Sequence, residues 1–404
     1  MSDSRTSTDT HSPMDASDLC VLHVIGAVDP EFGGTSEVAV SMCIASQRAG
    51  IRTTLLFAAD ASAEEVIRTI EARLRSEEVS VRRFRTVPLV RFYARRWGLS
   101  VQLCRWVIRH AGRFDVIHIH QAWGLAQIAA LLAAMAWQRP CVFTPHASLT
   151  NYDIDREKRF VKSLLKRWYL SAAARVWLTS PLEARDSMPP RHLSKSRIVP
   201  CPLAASEAWP VSTPRRTPNP DEPLTVGFLG RLHPKKNVDL VIRSIALAPD
   251  GIRLRVAGDG PAPIKRDLMQ CAADSGVADR VEWLGFVTRD NRSAFFESID
   301  VLVLVSEYES FGLAVAEAMA HGLPVIVSSR TGIASIITKY ECGMVIEPTQ
   351  ADVAGALQRL AADPALVSRL GSQGPVAVEN ELSMDSYGAG ARLGYQQLIT
   401  TRGG

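Results

Sequence analysis

Residues 300–331 read DVLVLVSEYESFGLAVAEAMAHGLPVIVSSRT and carry the clearest structural pattern in the chain. The unbroken apolar run at residues 301–305 has the length and composition of a parallel strand that is buried on both faces. After a short polar loop, apolar residues recur at helical spacing over residues 311–322, and a second apolar run starts at Pro324. This order predicts a β-α-β unit. Open α/β sheets bind ligands at the carboxyl end of such a strand.

Two glutamates stand eight positions apart in this stretch, Glu309 in the loop and Glu317 in the helix. If the helix begins near Phe311, the backbone N–H groups of Phe311, Gly312 and Leu313 are free to bind an anion such as a diphosphate. Glu317 would then lie roughly 9 Å further along the helix. The two carboxylates could reach hydroxyl groups on either side of the diphosphate, as a sugar nucleotide requires. Their spacing alone favours two solvated surface residues over a binding site.

Length and composition limit the class of protein. A chain of 404 residues exceeds what one hydrophobic core usually serves, so two domains are expected. Seven scattered cysteines without a C-x-x-C pair indicate reduced thiols in a cytoplasmic protein. The sequence shows no signal-peptide pattern and no apolar run of about 18 residues, so we expect no membrane-spanning segment.

The positive charge is concentrated in the first half of the chain. Residues 1–205 hold 27 lysines and arginines against 19 acidic residues, and the remainder is net acidic. Residues 82–113 contain nine arginines and no acidic residue, interleaved with aromatic and aliphatic side chains, and residues 156–175 form a second basic segment. The pattern predicts two helices that dock on an anionic membrane, with a solvated basic face as the alternative. No nucleic-acid-binding module is visible, so we expect no nucleic-acid partner.

The first domain begins after a tail rich in serine, threonine and aspartate at residues 1–17, which we expect to be disordered. An apolar strand at residues 19–25 leads to Gly33 and Gly34, ahead of a helical pattern. Glycines at a strand-to-helix turn leave room for a ligand against the backbone, although a tight turn alone would also need them. The chain lacks G-x-G-x-x-G, so a dinucleotide-binding fold is not supported.

Histidines follow two further strands. His118 and His120 alternate along one strand and therefore point the same way, but a metal site needs a third ligand and none is close in sequence, so we expect no metal. His146 follows the next strand within Pro-His-Ala, at a strand end where sites form. Asp153 and Asp155 have the D-x-D form of some metal sites, but they open a basic helix and are better explained as helix-start acids.

The second domain follows a proline-rich stretch. Residues 206–223 hold five prolines and no periodicity, which indicates an interdomain linker. The apolar strand at residues 224–229 then runs into G-R-L-H-P-K-K-N. Arg231 and Lys236 would stand as two cations near this strand end, where open α/β sheets bind ligands. A single R-x(4)-K pattern could also be ordinary surface charge.

Taken in order, these motifs resemble those of glycosyltransferase family 4, the retaining sugar transferases of GT-B fold. The match rests on E-x(7)-E with Ser-Phe-Gly after its first glutamate, on G-R-L-x-x-x-K, and on looser Gly-Gly and Pro-His motifs in the first domain. Ala147 and Asn237 stand where the family usually has glycine. The matched donor-site and catalytic positions are Gly33, Gly34, His146, Gly230, Arg231, Lys236, Gly258, Phe286, Glu309, Phe311, Gly312, Leu313 and Glu317.

The resemblance implies an α/β protein of GT-B fold, with two Rossmann-like domains whose parallel sheets face a central cleft. Residues 18–205 would form the acceptor-binding domain and residues 222–382 the nucleotide-sugar-binding domain. Residues 383–404 would form a helix that crosses back to the first domain.

The implied activity is that of a retaining, hexosyltransferase-type enzyme. It would move a sugar from a nucleotide-diphosphate sugar, with UDP favoured over GDP, to a glycan or lipid-linked glycan acceptor in envelope or exopolysaccharide biosynthesis. Arg231 and Lys236 would stabilise the diphosphate, Glu309 would orient the sugar, Glu317 would bind the ribose, and His146 would contact the sugar. No cofactor or Mg²⁺ is expected.

Two alternatives stay open at this stage. One is a sugar-nucleotide epimerase of GT-B fold, which would act on the donor alone. The other is a catalytically idle binding module of a polysaccharide assembly complex. The E-x(7)-E pattern together with G-R-L-x-x-x-K favours transfer. The expected location is the cytoplasm, at the inner face of the cell membrane.

Overall fold

The computed structural model describes residues 19–28, 34–60, 63–87, 99–151, 160–203, 222–248 and 251–400. Several expectations fall outside these residues. They concern the tail at residues 1–17, most of the linker at residues 206–223, and the residues Gly33, Asp153 and Asp155.

The first sheet has seven parallel strands in the order β3-β2-β1-β4-β5-β6-β7. Its strands are β1 (Cys20–Val24), β2 (Arg52–Ala59), β3 (Ser80–Arg85), β4 (Val116–His120), β5 (Cys141–Thr144), β6 (Arg175–Leu178) and β7 (Ser196–Ile198). The helices between them are α1 (Thr35–Arg48), α2 (Glu64–Ser76), α3 (Val101–His110), α4 (Leu125–Ala136), α5 (Phe160–Ala172) and α6 (Pro181–Ser187).

The second sheet has six parallel strands in the order β10-β9-β8-β11-β12-β13. Its strands are β8 (Leu224–Leu229), β9 (Ile252–Ala257), β10 (Val281–Gly285), β11 (Val301–Leu304), β12 (Val325–Ser328) and β13 (Gly343–Ile346). Its helices are α7 (Val238–Ala246), α8 (Ala262–Asp274), α9 (Arg292–Glu297), α10 (Leu313–Ala320), α11 (Ala334–Tyr340), α12 (Gln350–Ala362) and α13 (Pro364–Leu382), and the chain continues into α14 (Met384–Thr400).

Both sheets reverse their strand order beside their first strand, between β1 and β4 and between β8 and β11. Loops at the carboxyl ends of such strands diverge and leave a crevice for a ligand. Two parallel sheets of this kind are the Rossmann-like units of a GT-B fold, as the resemblance implies. The two units meet where the loop after β11 approaches the first sheet, since the Ser310 carbonyl accepts from the Ser180 hydroxyl at 2.8 Å.

The last helix, α14, packs against the first unit. It lies along α1, and Tyr395 stacks on Trp177 of β6 with ring centroids 4.7 Å apart. The Tyr395 hydroxyl is also 2.6 Å from Nδ1 of His118 in β4. The C-terminal helix therefore contributes side chains to the core beneath the first sheet.

The basic stretch at residues 82–113 differs from the docking helix that its composition suggested. Its beginning belongs to the edge strand β3, and among its described residues only Val101–His110 is α-helical. Arg83 is not unpaired, because it lies 3.0 Å from Glu64 and 3.5 Å from Glu71 of α2. Sequence inspection missed these counter-charges because they come from the preceding helix.

Two helices in the second unit also differ from expectation. The helix of residues 311–322 begins two residues later, at Leu313, because Gly312 adopts a left-handed φ of 104° and Phe311 is buried in the core. Helix α13 was not predicted, and it continues through Pro375.

Candidate active site

The strongest charge pair in the cleft joins Lys236 to Glu309. Lys236 ends a short 3-10 turn after β8, and Glu309 lies in the loop after β11. The two loops meet because β8 and β11 are neighbours in the sheet. Asn237 adopts a left-handed conformation with φ of 52°, and its side-chain amide donates to the Val305 carbonyl at 2.9 Å. The asparagine therefore makes the backbone turn that glycine usually makes and also joins the two loops.

The environment of Glu309 keeps it ionised. Burial raises the pKa of this carboxyl, but the cations of Lys236, Lys235 and Arg231 outweigh burial and hold the pKa below its ordinary value. Arg231 itself is exposed, so its guanidinium remains accessible to an anionic ligand. The site presents a carboxylate surrounded by three positive charges.

Glu317 lies at the other side of the α10 N-terminus in a different environment. Its side chain is buried, one oxygen accepts from Arg292 at 2.5 Å, and the other is without a partner among the described residues. Burial is the largest effect and raises the pKa of Glu317, although Arg292 opposes it. Glu317, Leu313 and Glu37 line a cavity of about 30 Å³ between the two units. The unpartnered carboxylate oxygen is therefore suited to receive a hydrogen bond from a ligand hydroxyl.

The first turn of α10 meets the first unit at Gly34. A Cβ atom added to Gly34 would lie 2.9 Å from Cδ1 of Leu313, so the Leu313 side chain packs directly on the glycine backbone. The Val315 N–H bonds to the Gly312 carbonyl, which leaves the N–H groups of Leu313 and Ala314 without intrahelical partners. Leu313 was one of the three predicted backbone donors, and Ala314 adds a donor that was not predicted.

The remaining donor-site positions fall into two kinds. Position 258 requires glycine for a structural reason, because an added Cβ would lie 1.9 Å from the Gly230 carbonyl oxygen. Phe286, directly after β10, is 71% exposed, an unusual placement for a phenylalanine and a suitable one for stacking on a base.

His146 lies in a tight turn after β5. His146 and Ala147 both have positive φ values, 50° and 66°, which explains why the family usually has glycine after the histidine. Glu183 holds the turn: one of its oxygens accepts from the Ala147 N–H at 2.6 Å, and the other accepts from the N–H and hydroxyl of Thr179, each at 2.7 Å. Ser180 then donates to the Ser310 carbonyl at 2.8 Å. This connection ties the His146 turn to the loop that carries Glu309.

A third histidine joins His118 and His120. His23 of β1 lies beside them because β1 pairs with β4, with His23 opposite His118. Among the described residues these three buried imidazoles are the one group of three or more side chains whose ligand atoms could hold a metal. No third imidazole is close in sequence, and strand pairing brings His23 close in space.

Other residues at the site were not predicted. Arg292 holds Glu317, and Glu37 of α1 forms an ion pair with Arg289 across the two units. Glu37 also pairs with Arg73 at 2.7 Å. These residues lie in otherwise ordinary surface patterns, and no local signal in the sequence distinguishes them.

The fold and the site together define a class of protein. Two Rossmann-like units that face each other, with cations and carboxylates at their strand ends, form the architecture of a GT-B enzyme. The family model "Glycosyl transferase 4-like domain" matches residues 33–204, and "Glycosyl transferases group 1" matches residues 212–376. The chain belongs to glycosyltransferase family 4 and is a glycosyltransferase.

Two curated relatives that are similar to this chain share a name. The D-inositol 3-phosphate glycosyltransferase of Mycolicibacterium vanbaalenii is 30% identical over 311 residues, which are 67% of this chain and 67% of the relative. Its counterpart from Salinispora tropica is 28% identical over 59% of this chain and 55% of the relative. The match thus spans between about half and two thirds of these relatives' length.

Solved structures share the fold. The Anabaena protein HepE, in complex with UDP and glucose, has a TM-score of 0.70 at 17% identity, over 95% of this chain and 99% of that chain. Sucrose-phosphate synthase from Thermosynechococcus elongatus has a TM-score of 0.73 at 21% identity, over 95% of this chain and 100% of that chain. Within the described residues of the present chain, no helix is both long and apolar enough to cross a bilayer.

Proposed function

We propose that this enzyme transfers a sugar, with retention of its anomeric configuration, from a UDP-sugar to an acceptor hydroxyl. The observation that carries the proposal is the arrangement around the α10 N-terminus. Lys236, Glu309 and Arg231 lie on one side, and the unpartnered oxygen of Glu317 lies on the other. A nucleoside diphosphate sugar has matching groups: sugar, diphosphate and ribose.

Each residue has a role in this scheme. Arg231 and Lys236 stabilise the charge that develops on the diphosphate as it leaves. Glu309 orients the donor sugar, Glu317 accepts from the ribose hydroxyls, and His146 contacts the sugar. The free N–H groups at the start of α10 bind the phosphate oxygens.

The reaction follows from these roles. The acceptor oxygen forms a bond to the anomeric carbon, and the bond from that carbon to the diphosphate oxygen breaks, with its electron pair moving to the diphosphate. The hydroxyl proton passes to the leaving phosphate oxygen. We favour this attack from the front face because both oxygens of Glu183 are engaged by Ala147 and Thr179, so this carboxylate beside His146 is not free to act as a nucleophile.

The donor base and the acceptor are further parts of the proposal. The structural neighbour HepE was solved with UDP, which supports UDP over GDP. The acceptor is a glycan or lipid-linked glycan of the bacterial envelope or exopolysaccharide. D-inositol 3-phosphate is a second candidate, supported by the name that the relatives carry. No Mg²⁺ is required, because the fixed cations neutralise the diphosphate.

A thermal-shift screen against UDP, GDP and ADP tests the donor site. A nucleotide at a hundred times its dissociation constant stabilises the fold by about 2.7 kcal/mol. We expect a clear shift with UDP that is lost in Glu317→Gln. No shift with any nucleotide would contradict catalysis at this site and favour the idle-module alternative. Incubation with the UDP-sugar and candidate acceptors then separates transfer from epimerisation, and NMR of the product gives its anomeric configuration.

We also propose that the first unit docks on the inner face of the cytoplasmic membrane. Although Arg83 is paired, the outer face of α3, α4 and α5 combines exposed arginines with exposed apolar side chains. The arginines are Arg105, Arg109 and Arg167, and the apolar residues are Val101, Ile108, Leu125, Leu132, Met135, Trp137 and Leu164. Basic and apolar groups on one surface suit the interface of an anionic bilayer.

A liposome flotation assay tests this docking. We expect the enzyme to float with vesicles that contain anionic lipid and to remain unbound with neutral vesicles. Leu132→Glu should abolish flotation. Leu393→Glu is the matched control, because Leu393 is equally exposed but lies on α14, on the opposite side of the first sheet. Equal binding to both vesicle types, or equal loss in the two variants, would argue against the docking surface.

A further inference from the structure

Three imidazoles form a continuous chain from the turn after β5 into the core of the first unit. Nε2 of His146 lies 3.0 Å from Nδ1 of His120, and Nε2 of His120 lies 2.9 Å from Nδ1 of His23. The far nitrogen, Nε2 of His23, is buried and without a hydrogen-bond partner in the described part of the protein. The chain thus starts at the proposed sugar-contacting residue and ends at an unpaired nitrogen.

The geometry favours hydrogen bonding between these rings over metal coordination. Nδ1 of His23 and Nε2 of His120 are 2.9 Å apart, and the two ring planes differ by 18°. Two nitrogens that both bind a tetrahedral zinc at about 2.0–2.1 Å lie roughly 3.3 Å apart, so this pair is closer than zinc ligation requires. The nitrogens of His118 are already within hydrogen-bond distance of Tyr395 and Thr144.

A neutral chain of this kind has two possible arrangements of protons. Burial lowers the pKa of His23 and of His146 to about 3, and that of His120 well below its ordinary value, so each ring is neutral and carries one N–H. Either every N–H points toward the cleft, or every N–H points toward the core. In the second arrangement the N–H of His23 Nε2 would be buried without an acceptor.

The unpaired nitrogen of His23 selects between the two. A buried N–H without a partner is rarer in proteins than a buried acceptor without one. Donation therefore runs outward: Nδ1–H of His23 donates to His120, and Nδ1–H of His120 donates to Nε2 of His146. We propose that His23 and His120 are positioning residues that hold His146 in the tautomer with its proton on Nδ1.

This tautomer gives His146 a defined chemical role. Its Nε2 is occupied by His120, so the ring offers one N–H, at Nδ1, to a ligand. The Glu183 bonds fix the backbone of the same turn from the other side. His146 therefore binds an acceptor atom of the ligand. That this atom is a sugar oxygen rests on the proposed function.

The tautomers can be read directly from ¹⁵N spectra of the histidine rings, since protonated and unprotonated ring nitrogens resonate in separate ranges. An isolated neutral histidine in water favours the proton on Nε2, the opposite of what we expect for His146. In the wild-type protein we expect the proton on Nδ1 of His146, His120 and His23. A proton on Nε2 of His146 in the wild type would overturn the proposal, whether or not any variant folds.

Two substitutions separate positioning from packing. His120→Leu should return His146 to the Nε2–H tautomer, whereas His118→Leu, equally buried but outside the chain, should leave the tautomer unchanged. An unchanged tautomer in His120→Leu, or the same change in both variants, would count against the proposal. Stoichiometric zinc in the purified protein that is lost in His23→Leu would replace it with a metal site.

Activity provides a second readout once a donor is known. His120→Leu should lower kcat by about tenfold or more, because a misplaced contact near the reacting centre is costly. His120→Gln should recover most of that loss, since its amide can accept from His23 and donate to His146. A Gln variant as slow as the Leu variant would contradict the positioning role. The spectra need no substrate, so a wrong donor assignment and a wrong tautomer assignment remain distinguishable.

Discussion

Glu309 and Glu317 show how two carboxylates of one motif acquire different properties. Lys236, Lys235 and Arg231 outweigh the burial of Glu309 and lower its pKa, whereas burial dominates at Glu317 and raises its pKa. A charged carboxylate beside the cations that would bind the phosphates is suited to orient a sugar. One with a raised pKa and an unpartnered oxygen suits hydrogen bonds with ribose.

Replacing Arg231 with alanine tests the charge arrangement. We expect Arg231→Ala to reduce turnover by about a hundredfold or more, on the order of 3 kcal/mol, because a fixed cation no longer stabilises the leaving diphosphate. Folding stability should change little, since the side chain is exposed. The measurement is kcat with the donor identified by the screen.

Arg253→Ala is the matched control for Arg231. Arg253 is also exposed and belongs to the same unit, but it lies near the start of β9, away from the carboxyl ends of the strands. The control should retain normal turnover. If both variants lose activity equally, a general charge effect is responsible and Arg231 has no specific role.

At the level of elements, α10 depends on the close approach of α13. A Cβ added to Gly374 would lie 2.4 Å from the Met319 carbonyl oxygen, and one added to Gly371 would lie 2.3 Å from that of Gly322. The two glycines allow α13 to lie directly against the end of the helix that carries Glu317. Helix α13 therefore supports the position of the donor site from behind.

We expect Gly374→Ala to destabilise the protein by about 1–3 kcal/mol, because the added methyl group overpacks a backbone contact. The nucleotide-induced thermal shift should decrease as well, because α10 is displaced. Gly355→Ala on α12 is the control: a Cβ there meets nothing within 4 Å. That substitution should stabilise the fold by roughly 0.5–1 kcal/mol. Denaturant unfolding measures the free energy of unfolding of both variants. Equal changes in Gly374→Ala and Gly355→Ala would contradict the packing explanation.

The same elements show what the sequence could predict. The β11–α10–β12 unit was predicted because its apolar periodicity and its two glutamates lie within one short stretch. Helix α13 was not, because Gly371, Gly374 and Pro375 are typical helix breakers, and only the packing against α10 explains the glycines. The histidine chain needed three strands and a turn to assemble, so His118 and His120 were found but His23 was not associated with them.

At the scale of the whole molecule, acid should weaken the fold because of its buried histidines. Burial lowers the pKa of His23 and His146 to about 3 and that of His118 and His120 well below the ordinary value. Between pH 6.5 and about 3 the unfolded chain binds protons at His23 and His146 that the folded chain does not, and His118 and His120 act in the same direction. Stability therefore falls as pH falls through this window, by about 1.4 kcal/mol per pH unit for each histidine.

Two buried carboxyls act in the opposite direction. Burial raises the pKa of Glu183 and of Glu317, so the folded state binds their protons at higher pH than the unfolded state does. Each contributes stability as pH falls through its raised pKa toward the ordinary value. Four histidines oppose two carboxyls, so the net slope between pH 7 and 5.5 should be destabilising.

Denaturant unfolding at pH 7.5, 6.5 and 5.5 measures this slope in the wild type and in His118→Leu. Removing one buried imidazole removes one site that the unfolded chain protonates. The free energy of unfolding of His118→Leu should therefore change less steeply with pH, by up to about 1.4 kcal/mol per pH unit. His110→Gln is the control, because His110 lies on α3 outside the buried cluster and should leave the slope unchanged. Equal slopes in the wild type and in His118→Leu would contradict the prediction, because the His118 imidazole would then bind as many protons in the folded chain as in the unfolded chain.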